Sequence, residues 1–209
     1  MADISLVCGS SGALGAAVVE ALSARGDTVV ALDHARLDLT DPDAVEALWE
    51  ELAGKGELPR WVVNTVGGFR GATLAESEAD DVRALLSLNL ETALWSSRAA
   101  ARRLGAGGAI VNVSARAART GGGGSAAYAV AKAGVVRLTE VLALELADQR
   151  IRVNAVLPSL IDTPQSRALP GGGPANAVPP EQIASVIAFL CSDAAAAVTG
   201  AAIPVYGWA

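Results

Sequence analysis

Two hydrophobic patterns alternate along the chain: short runs that are almost wholly apolar, and longer stretches in which apolar residues recur every three to four positions. The first pattern is typical of a strand buried on both faces, and the second of a helix with one buried face. The strand-like runs lie at 3–8, 28–32, 36–38, 61–66, 109–114, 151–156 and 202–205. The helical patterns lie at 13–25, 42–53, 76–104 with a break near 87–89, 125–148 and 180–192.

Strands that alternate with helices predict the fold class: α/β, with a doubly wound parallel sheet of about seven strands and helices on both faces. At 209 residues the chain is long enough for one sizeable core and short for two. We therefore expect a single domain over 1–209. A proline- and glycine-rich stretch at 170–174 is either a flap over a site or an ordinary surface loop.

Composition and charge exclude several classes of partner. A net charge of −6 and a pI near 4.8 argue against nucleic acid or an anionic membrane. No apolar run approaches the roughly 20 residues of a membrane span, and the first residues lack the basic region of a signal peptide. Cys8 and Cys191 lie in apolar segments, which indicates buried thiols in a reducing compartment. We therefore expect a cytoplasmic protein whose partner is a small molecule.

The single histidine, His34, limits the possible chemistry. With only this one histidine in the chain, the sequence argues against a Ser–His or Cys–His catalytic pair and against a zinc site. We predict no metal.

The first predicted strand ends in the glycine-rich turn GSSGALG at 9–15, and a helix follows. Glycines let the backbone approach a pyrophosphate, which rests on the free N–H groups of the helix start. Asp33 ends the second strand, 18 residues after Gly15, where a carboxylate can bind an adenosine ribose. The same charge repels a 2′-phosphate, so NAD(H) is the preferred cofactor. Arg36 lies close by, and NADP(H) therefore stays open.

The residues best suited to catalysis lie at the start of the helix at 125–148. Ser125 is a suitable N-cap, and Tyr128 and Lys132, four residues apart, share one helix face. A positive charge beside a phenol favours the phenolate, so we expect a lowered pKa for Tyr128. Such a group donates and accepts protons near neutral pH. Taken alone, the pair would indicate an ordinary helix surface. The motifs elsewhere in the chain favour a catalytic role instead.

Together, these motifs resemble the short-chain dehydrogenase/reductase family over essentially the whole chain. The resemblance implies a Rossmann-type fold and hydride transfer with NAD(P), with Tyr128 as general acid and base. It also implies that Lys132 lowers the Tyr128 pKa and binds the nicotinamide ribose, and that Asn89 holds a water beside Lys132. Because members of the family are commonly dimers or tetramers built on two central helices, we expect a homodimer or homotetramer.

The resemblance also implies a set of cofactor-binding positions. Its glycine motif appears with Ala13 at the usual middle glycine, its adenine-binding Asp-Val pair as Asp38-Leu39, and its Asn-Asn-Ala-Gly motif as 64–67. Ser159 stands in the glycine position of the later Pro-Gly motif. The cofactor-binding residues implied are Gly9, Ser11, Gly12, Leu14, Gly15, Asp33, Asp38, Leu39, Asn64, Val66, Gly67, Tyr128, Lys132, Pro158, Ile161 and Thr163.

One departure from the family pattern concerns catalysis. The family's catalytic serine is expected 13 residues before Tyr128, and that position is Ala115. Ser114 is adjacent, but neighbouring strand residues point to opposite faces unless the strand bends or ends there. Either the substrate supplies its own polarisation, or Ser114 or a water replaces the serine. The candidate catalytic set is thus Tyr128, Lys132, Asn89 and Ser114.

The main hypothesis is an oxidoreductase that moves hydride between nicotinamide and a small carbonyl or secondary alcohol. Dihydropteridine reductases, which this chain also resembles, carry alanine at the position of Ala115, so reduction of a quinonoid or imine ring is the first alternative. A nucleotide-binding homologue with weak catalysis is the second. A methyltransferase also pairs a glycine turn with an acidic strand end, but it gives no role to Tyr128 and Lys132.

Overall fold

A parallel sheet of six strands lies at the centre of the molecule, in a computed structural model that describes residues 2–120, 123–168 and 176–208. The strand order is β2-β1-β3-β4-β5-β6, so the chain reverses direction across the sheet between β1 and β3. Such a switch point opens a crevice at the carboxyl ends of the strands. The strands are β1 (Ile4–Cys8), β2 (Thr28–Leu32), β3 (Trp61–Asn64), β4 (Ala109–Val113), β5 (Arg152–Pro158) and β6 (Ala202–Val205).

Helices cover both faces of the sheet, as the sequence predicts. Helices α1 and α7 pack on one face, and α2, α4 and α5 on the other, each burying an apolar stripe. The described helices are α1 (Ala13–Arg25), α2 (Pro42–Lys55), α3 (Ala79–Leu86), α4 (Thr92–Arg103), α5 (Ala126–Glu145), α6 (Pro164–Arg167) and α7 (Pro180–Leu190). The short α6 was not predicted, and the stretch at 170–174 lies outside the described residues.

The strand predicted at 36–38 is wrong, which reduces the expected seven strands to six. The N–H groups of Arg36 and Leu37 donate to the Asp33 carbonyl oxygen at 3.1 and 3.0 Å, so this segment forms a tight turn. Asp41 then caps α2 by accepting from two N–H groups of its first turn. The segment forms no strand, because these backbone groups are already bonded within the turn.

The predicted break near 87–89 is a π-helical segment, Ser87–Glu91, between α3 and α4. A π-turn inserts an extra residue into a helix and is frequent at functional sites. Here it places Asn89 inward, with a side chain only 1% exposed.

Within the described ranges, no helix is long and apolar enough to cross a membrane. The same part of the chain contains no group of three His, Cys, Asp or Glu residues suited to a metal ion. Both cysteines are buried and unbridged, as expected. Burial raises the pKa of Cys8 to about 11 and that of Cys191 to about 12, so these thiols stay protonated.

Candidate active site

The turn between β1 and α1 requires glycine for reasons internal to the fold. Gly9 has φ +89°, and a side chain there would lie 2.7 Å from the Thr65 hydroxyl and 2.9 Å from the Val66 nitrogen. A side chain on Gly15 would collide with the Gly9 carbonyl. Gly12 faces more open space, where an added Cβ would meet only the Gly9 carbonyl oxygen at 3.5 Å. The turn therefore keeps its backbone open around Gly12.

The start of α1 forms a cradle for an anion. Gly12 precedes the helix without a side-chain cap, and no acidic residue lies in the first turn. Ser11 and Gly12 are exposed, so the chain at the start of the helix, which is its positive end, is open to solvent. Leu14 is 7% exposed and packs into the core, which leaves only its backbone for a ligand. This geometry fits the pyrophosphate of a dinucleotide.

Asp33 and Asp38 follow β2 but differ in what they offer a ligand. Asp33 is half-buried, and its Oδ1 accepts the N–H of Arg36 at 3.1 Å. The exposed Asp38 accepts the N–H and hydroxyl of Thr40 at 2.9 and 2.7 Å, which lower its pKa. The side chain of Leu39 is 6% exposed and belongs to the core. Asp33 thus has the freer carboxylate at the edge where a ribose would lie.

Asn89 fixes the loop after β3 to the π-helical segment. Its Oδ1 accepts the N–H of Gly68 at 3.1 Å, and its Nδ2 donates to the carbonyls of Gly68 and Leu85 at 2.9 and 3.0 Å. A side chain on Gly67 would lie 2.8 Å from Asn89 Oδ1 and 2.9 Å from Lys132 Nζ. The glycine therefore allows Asn89 and Lys132 to approach the same point.

Lys132 is a buried cation with a single described partner. Its side chain is 4% exposed, and Nζ donates to the Val113 carbonyl oxygen at 3.0 Å. No carboxylate of the described chain forms an ion pair with it, and burial lowers its pKa to about 8. An ammonium without a counter-charge in a cleft is a hallmark of a functional site.

Tyr128 lies half-buried one helical turn before Lys132, with the ammonium 6.0 Å from the centre of its ring. Burial raises the pKa of the Tyr128 phenol in the protein alone. The predicted lowering of this pKa is therefore wrong for the protein alone, because burial of the phenol raises the pKa and the hydrogen bond of the Lys132 ammonium goes to the Val113 carbonyl oxygen.

Ser114 has a structural partner in the protein alone. Its hydroxyl is directed at α5, donating to the Lys132 carbonyl oxygen at 2.7 Å, and the residue is 3% exposed. This contact positions the helix turn that carries Lys132, and the catalytic role of Ser114 stays a prediction. Ala115 follows with an extended backbone and is 8% exposed.

Asn64 is also turned away from the crevice. It pairs with Asn112 across β3 and β4, donating to Asn112 Oδ1 at 2.8 Å and to the Ser97 hydroxyl at 3.2 Å. Asn112 in turn donates to Thr139 of α5 at 3.0 Å. The side chain of Asn64 thus ties the sheet to α4 and α5, so the predicted contact of this residue with a cofactor would come from its backbone. Val66 is partly buried against the same core layer.

The segment after β5 closes the other side of the crevice. Pro158 ends the strand and is buried, and Ile161 bridges to Val178. Thr163 caps α6: its hydroxyl accepts the Ser166 N–H at 3.1 Å, and its own N–H donates to the Ser166 hydroxyl at 2.9 Å. The Thr163 side chain therefore has a structural partner in the protein alone.

Phe69 is a site residue that sequence reasoning missed. Its ring meets the Tyr128 ring edge-on, with centroids 5.2 Å apart and an interplanar angle of 90°. The available signal was an aromatic residue directly after Gly67 and Gly68, at the carboxyl end of a buried strand.

Comparison with known proteins accounts for this arrangement. The family model described as Enoyl-(Acyl carrier protein) reductase matches residues 5–207. The chain belongs to the short-chain dehydrogenase/reductase family. The Rossmann-type fold expected from the sequence is thereby confirmed, and the chain is an oxidoreductase by family.

Two relatives illustrate the breadth of the family. The cis-4-hydroxycyclohexanecarboxylate dehydrogenase of Sinomonas cyclohexanicum is 34% identical, over 98% of this chain and 95% of that protein. The 3-oxoacyl-(acyl-carrier-protein) reductase FabG of Escherichia coli K12 is 30% identical, over 98% of this chain and 96% of that protein.

Solved structures superpose over nearly the whole chain. A mutant of a short-chain dehydrogenase/reductase from Serratia marcescens has a TM-score of 0.88 at 26% identity, covering 98% of this chain and 96% of that one. A 4-hydroxyisoleucine dehydrogenase complexed with NADH has a TM-score of 0.85 at 25% identity, covering 98% and 97%. A blue fluorescent protein from a metagenomic library, in complex with NADPH, has a TM-score of 0.86 at 25% identity, covering 98% and 96%.

Proposed function

We propose that this protein is an NAD(H)-preferring oxidoreductase that transfers hydride between nicotinamide and a small carbonyl compound or secondary alcohol, with Tyr128 as general acid and base. The observation that carries the proposal is that the glycine-rich turn after β1, the π-helical segment and α5 come together at the loop after β3. Gly9 contacts Thr65 and Val66, and the next residue, Gly67, separates Asn89 from Lys132. One short loop therefore joins the dinucleotide turn to the Tyr128 helix.

The residues of the crevice suit a dinucleotide. The open backbone around Gly12 would hold the pyrophosphate, Asp33 the adenosine ribose, and Lys132 the nicotinamide ribose. When bound, the nicotinamide supplies or takes the hydride. What the protein adds is orientation and a proton route, both from groups fixed by the fold.

Tyr128 would exchange the proton at its phenol oxygen. Because burial raises its pKa, the neutral phenol is the resting form, which suits protonation of a substrate oxygen during reduction. In the alcohol-oxidising direction the phenol must lose its proton. The Lys132 ammonium, within reach of the same ring, would then stabilise the phenolate.

The test of the mechanism is Tyr128→Phe, which removes only the hydroxyl. We expect kcat to fall about 10²- to 10⁴-fold, the usual contribution of a general acid or base. The Kd of NADH, followed by its fluorescence, should stay within about twofold, because the variant keeps the aromatic ring and leaves the other cofactor-binding residues unchanged. A variant with full activity would remove the proposed role of Tyr128.

The preference for NAD(H) rests on the Asp33 carboxylate. We expect kcat/KM with NADH to exceed kcat/KM with NADPH. Asp33→Asn should reduce the ratio of these two values, because it removes the charge that repels a 2′-phosphate. Arg36 donates to the Ala31 carbonyl at 3.2 Å and is not committed to a carboxylate. Faster turnover with NADPH by the unaltered protein would contradict the preference.

Ala115 supports a second candidate function, the reduction of a quinonoid or imine ring. Without a serine hydroxyl at this position, a ring that polarises its own reacting bond is a suitable substrate. A panel with NADH that compares a quinonoid dihydropterin with simple ketones separates the two functions. If no compound of either class is turned over, the hypothesis of a nucleotide-binding homologue with weak catalysis replaces both functions. The cytoplasmic location and the homodimer or homotetramer stay predictions.

A further inference from the structure

Phe69 is a large apolar side chain that the fold leaves in water beside Tyr128. It is 66% exposed although the Phe69 and Tyr128 rings pack edge-to-face, with their centroids 5.2 Å apart. An exposed aromatic ring costs hydrophobic free energy unless something covers it. Exposed apolar surface next to polar reactive groups marks a site of ligand contact.

The backbone on both sides of Phe69 is fixed. On one side, Gly68 is held by hydrogen bonds to and from the Asn89 side chain. On the other, Arg70 forms an ion pair with Asp81, and the next anchor along the loop is a bridge between Ala72 and Ser125 at the start of α5. The ring is therefore presented by an anchored loop.

The described neighbours of the ring include small and apolar residues. The ring lies over Gly71, where an added Cβ would be 3.5 Å from Phe69 Cε1. Leu88, 38% exposed, lies over the neighbouring Gly68. The nearest charge along the chain, Arg70, is paired with Asp81. The exposed part of the ring therefore suits an apolar group.

We propose that Phe69 determines substrate specificity, its exposed ring being the wall that contacts the apolar body of the substrate. This inference rests on the proposed function and deepens it. The substrate class is a secondary alcohol or ketone whose reacting carbon belongs to, or adjoins, an apolar ring or branched alkyl chain. With such a body against Phe69, the reacting oxygen lies on the Tyr128 side of the wall.

The test compares cyclohexanone with acetone as oxidant of NADH, in the unaltered protein and in Phe69→Ala and Phe69→Leu. Losing the contact of one aromatic ring should lower kcat/KM for cyclohexanone about 10- to 100-fold, mainly through KM. The change for acetone should be less than about threefold, because acetone has little apolar surface to lose. Phe69→Leu should retain much of the affinity for cyclohexanone.

The matched control is Leu144→Ala. Leu144 is 78% exposed on α5, the helix that carries Tyr128, but lies sixteen residues further along it. It should leave both substrates unchanged. A similar loss for acetone and cyclohexanone in Phe69→Ala would overturn the proposal, since it would report damage to the site rather than to a specificity wall.

A binding measurement separates this proposal from the proposed function. Cyclohexanone is titrated calorimetrically into the protein saturated with NAD⁺, in which no hydride is available to the ketone. A Kd that rises about tenfold or more in Phe69→Ala supports the proposal even if turnover is absent, and absence of turnover then contradicts the proposed function alone. Equal Kd values, or no binding to the unaltered protein, overturn the specificity proposal whatever the turnover.

Discussion

The two ends of the parallel strands differ in how their cationic side chains are paired. At the end where the strands begin, Trp61 lies among three guanidinium groups, with the nearest, Arg60, 4.2 Å from the ring centre. All three are satisfied by nearby acceptors. The pairs are Arg25 with Asp27, Arg60 with Asp3 and Asp193, and Arg152 with the carbonyls of Leu190 and Ser192.

At the end where the strands finish, Lys132 has no such support. It has one neutral acceptor, the Val113 carbonyl, and no ion pair within the described residues. Its pKa falls to about 8 because burial penalises the charge. The first cluster therefore stabilises the fold, whereas the second costs stability and keeps a positive charge ready for a ligand.

The largest effect that separates the two ends is expected for Arg152→Met. Arg152 is 8% exposed, and its guanidinium binds two carbonyls at the end of α7 at 2.8 and 3.1 Å. Removing it leaves these acceptors without a partner, which should lower the free energy of unfolding by about 3 kcal/mol. Urea denaturation measures the change. The control is Arg137→Met, which breaks an exposed i,i+3 pair and should cost less than about 0.5 kcal/mol.

For Lys132→Met the sign should be opposite. The variant abolishes the ammonium on which the proposed catalysis depends, yet we expect the free energy of unfolding at pH 7 to rise by about 2 kcal/mol, because a buried charge is removed. The gain is less than the full desolvation penalty, since the Val113 carbonyl loses its donor. Denaturation and turnover measured on the same preparations give both readouts.

The pH dependence sharpens this prediction. In the unaltered protein the Lys132 pKa rises from about 8 when folded to about 10.5 when unfolded. Between these values the unfolded chain binds more protons, so the contribution of Lys132 to stability increases with pH. The advantage of Lys132→Met should therefore be constant below pH 8 and fade toward pH 10.5. A destabilised variant at pH 7, or an advantage that does not change with pH, would contradict an unpaired buried ammonium.

The smallest effect is expected from glycine substitutions. A Cβ on Gly67 would lie within 3 Å of both Asn89 Oδ1 and Lys132 Nζ, so Gly67→Ala should lower the free energy of unfolding by about 1 kcal/mol and turnover about tenfold. The control is Gly54→Ala in α2, where nothing lies within 4 Å of the added atom and stability should rise by about 0.5 to 1 kcal/mol. If both variants behave alike, Gly67 has no special place between Asn89 and Lys132.

Several site features could be predicted because they are local. The turn at 9–15, the spacing of Tyr128 and Lys132, and the break near Asn89 all follow from residues close together in the chain. The helix period brings positions four apart to one face, and glycine at a strand end marks a tight turn. The strand predicted at 36–38 was wrong because so short a segment, with Leu37 as its one apolar residue, cannot reveal that its backbone closes a turn on Asp33.

The side-chain contacts that the sequence did not predict in the site all join distant elements. Ser114 is bonded to the Lys132 carbonyl and Asn64 to Asn112, and neither partner is near in sequence. Phe69 contacts Tyr128 of α5 from the loop after β3, fifty-nine residues earlier in the chain. No periodicity carries such information, since it depends on which elements pack together.

From the sequence alone we could predict the α/β architecture, the dinucleotide turn at the end of the first strand, and the Tyr128–Lys132 pair at the start of a helix. Hydrophobic period and spacing are enough for this, because they act within one element. The charge balance of the site depends on three-dimensional packing, which lowers the pKa of Lys132 and raises the pKa of Tyr128. Both shifts arise from burial, and burial is produced by the packing of segments that are far apart in the chain.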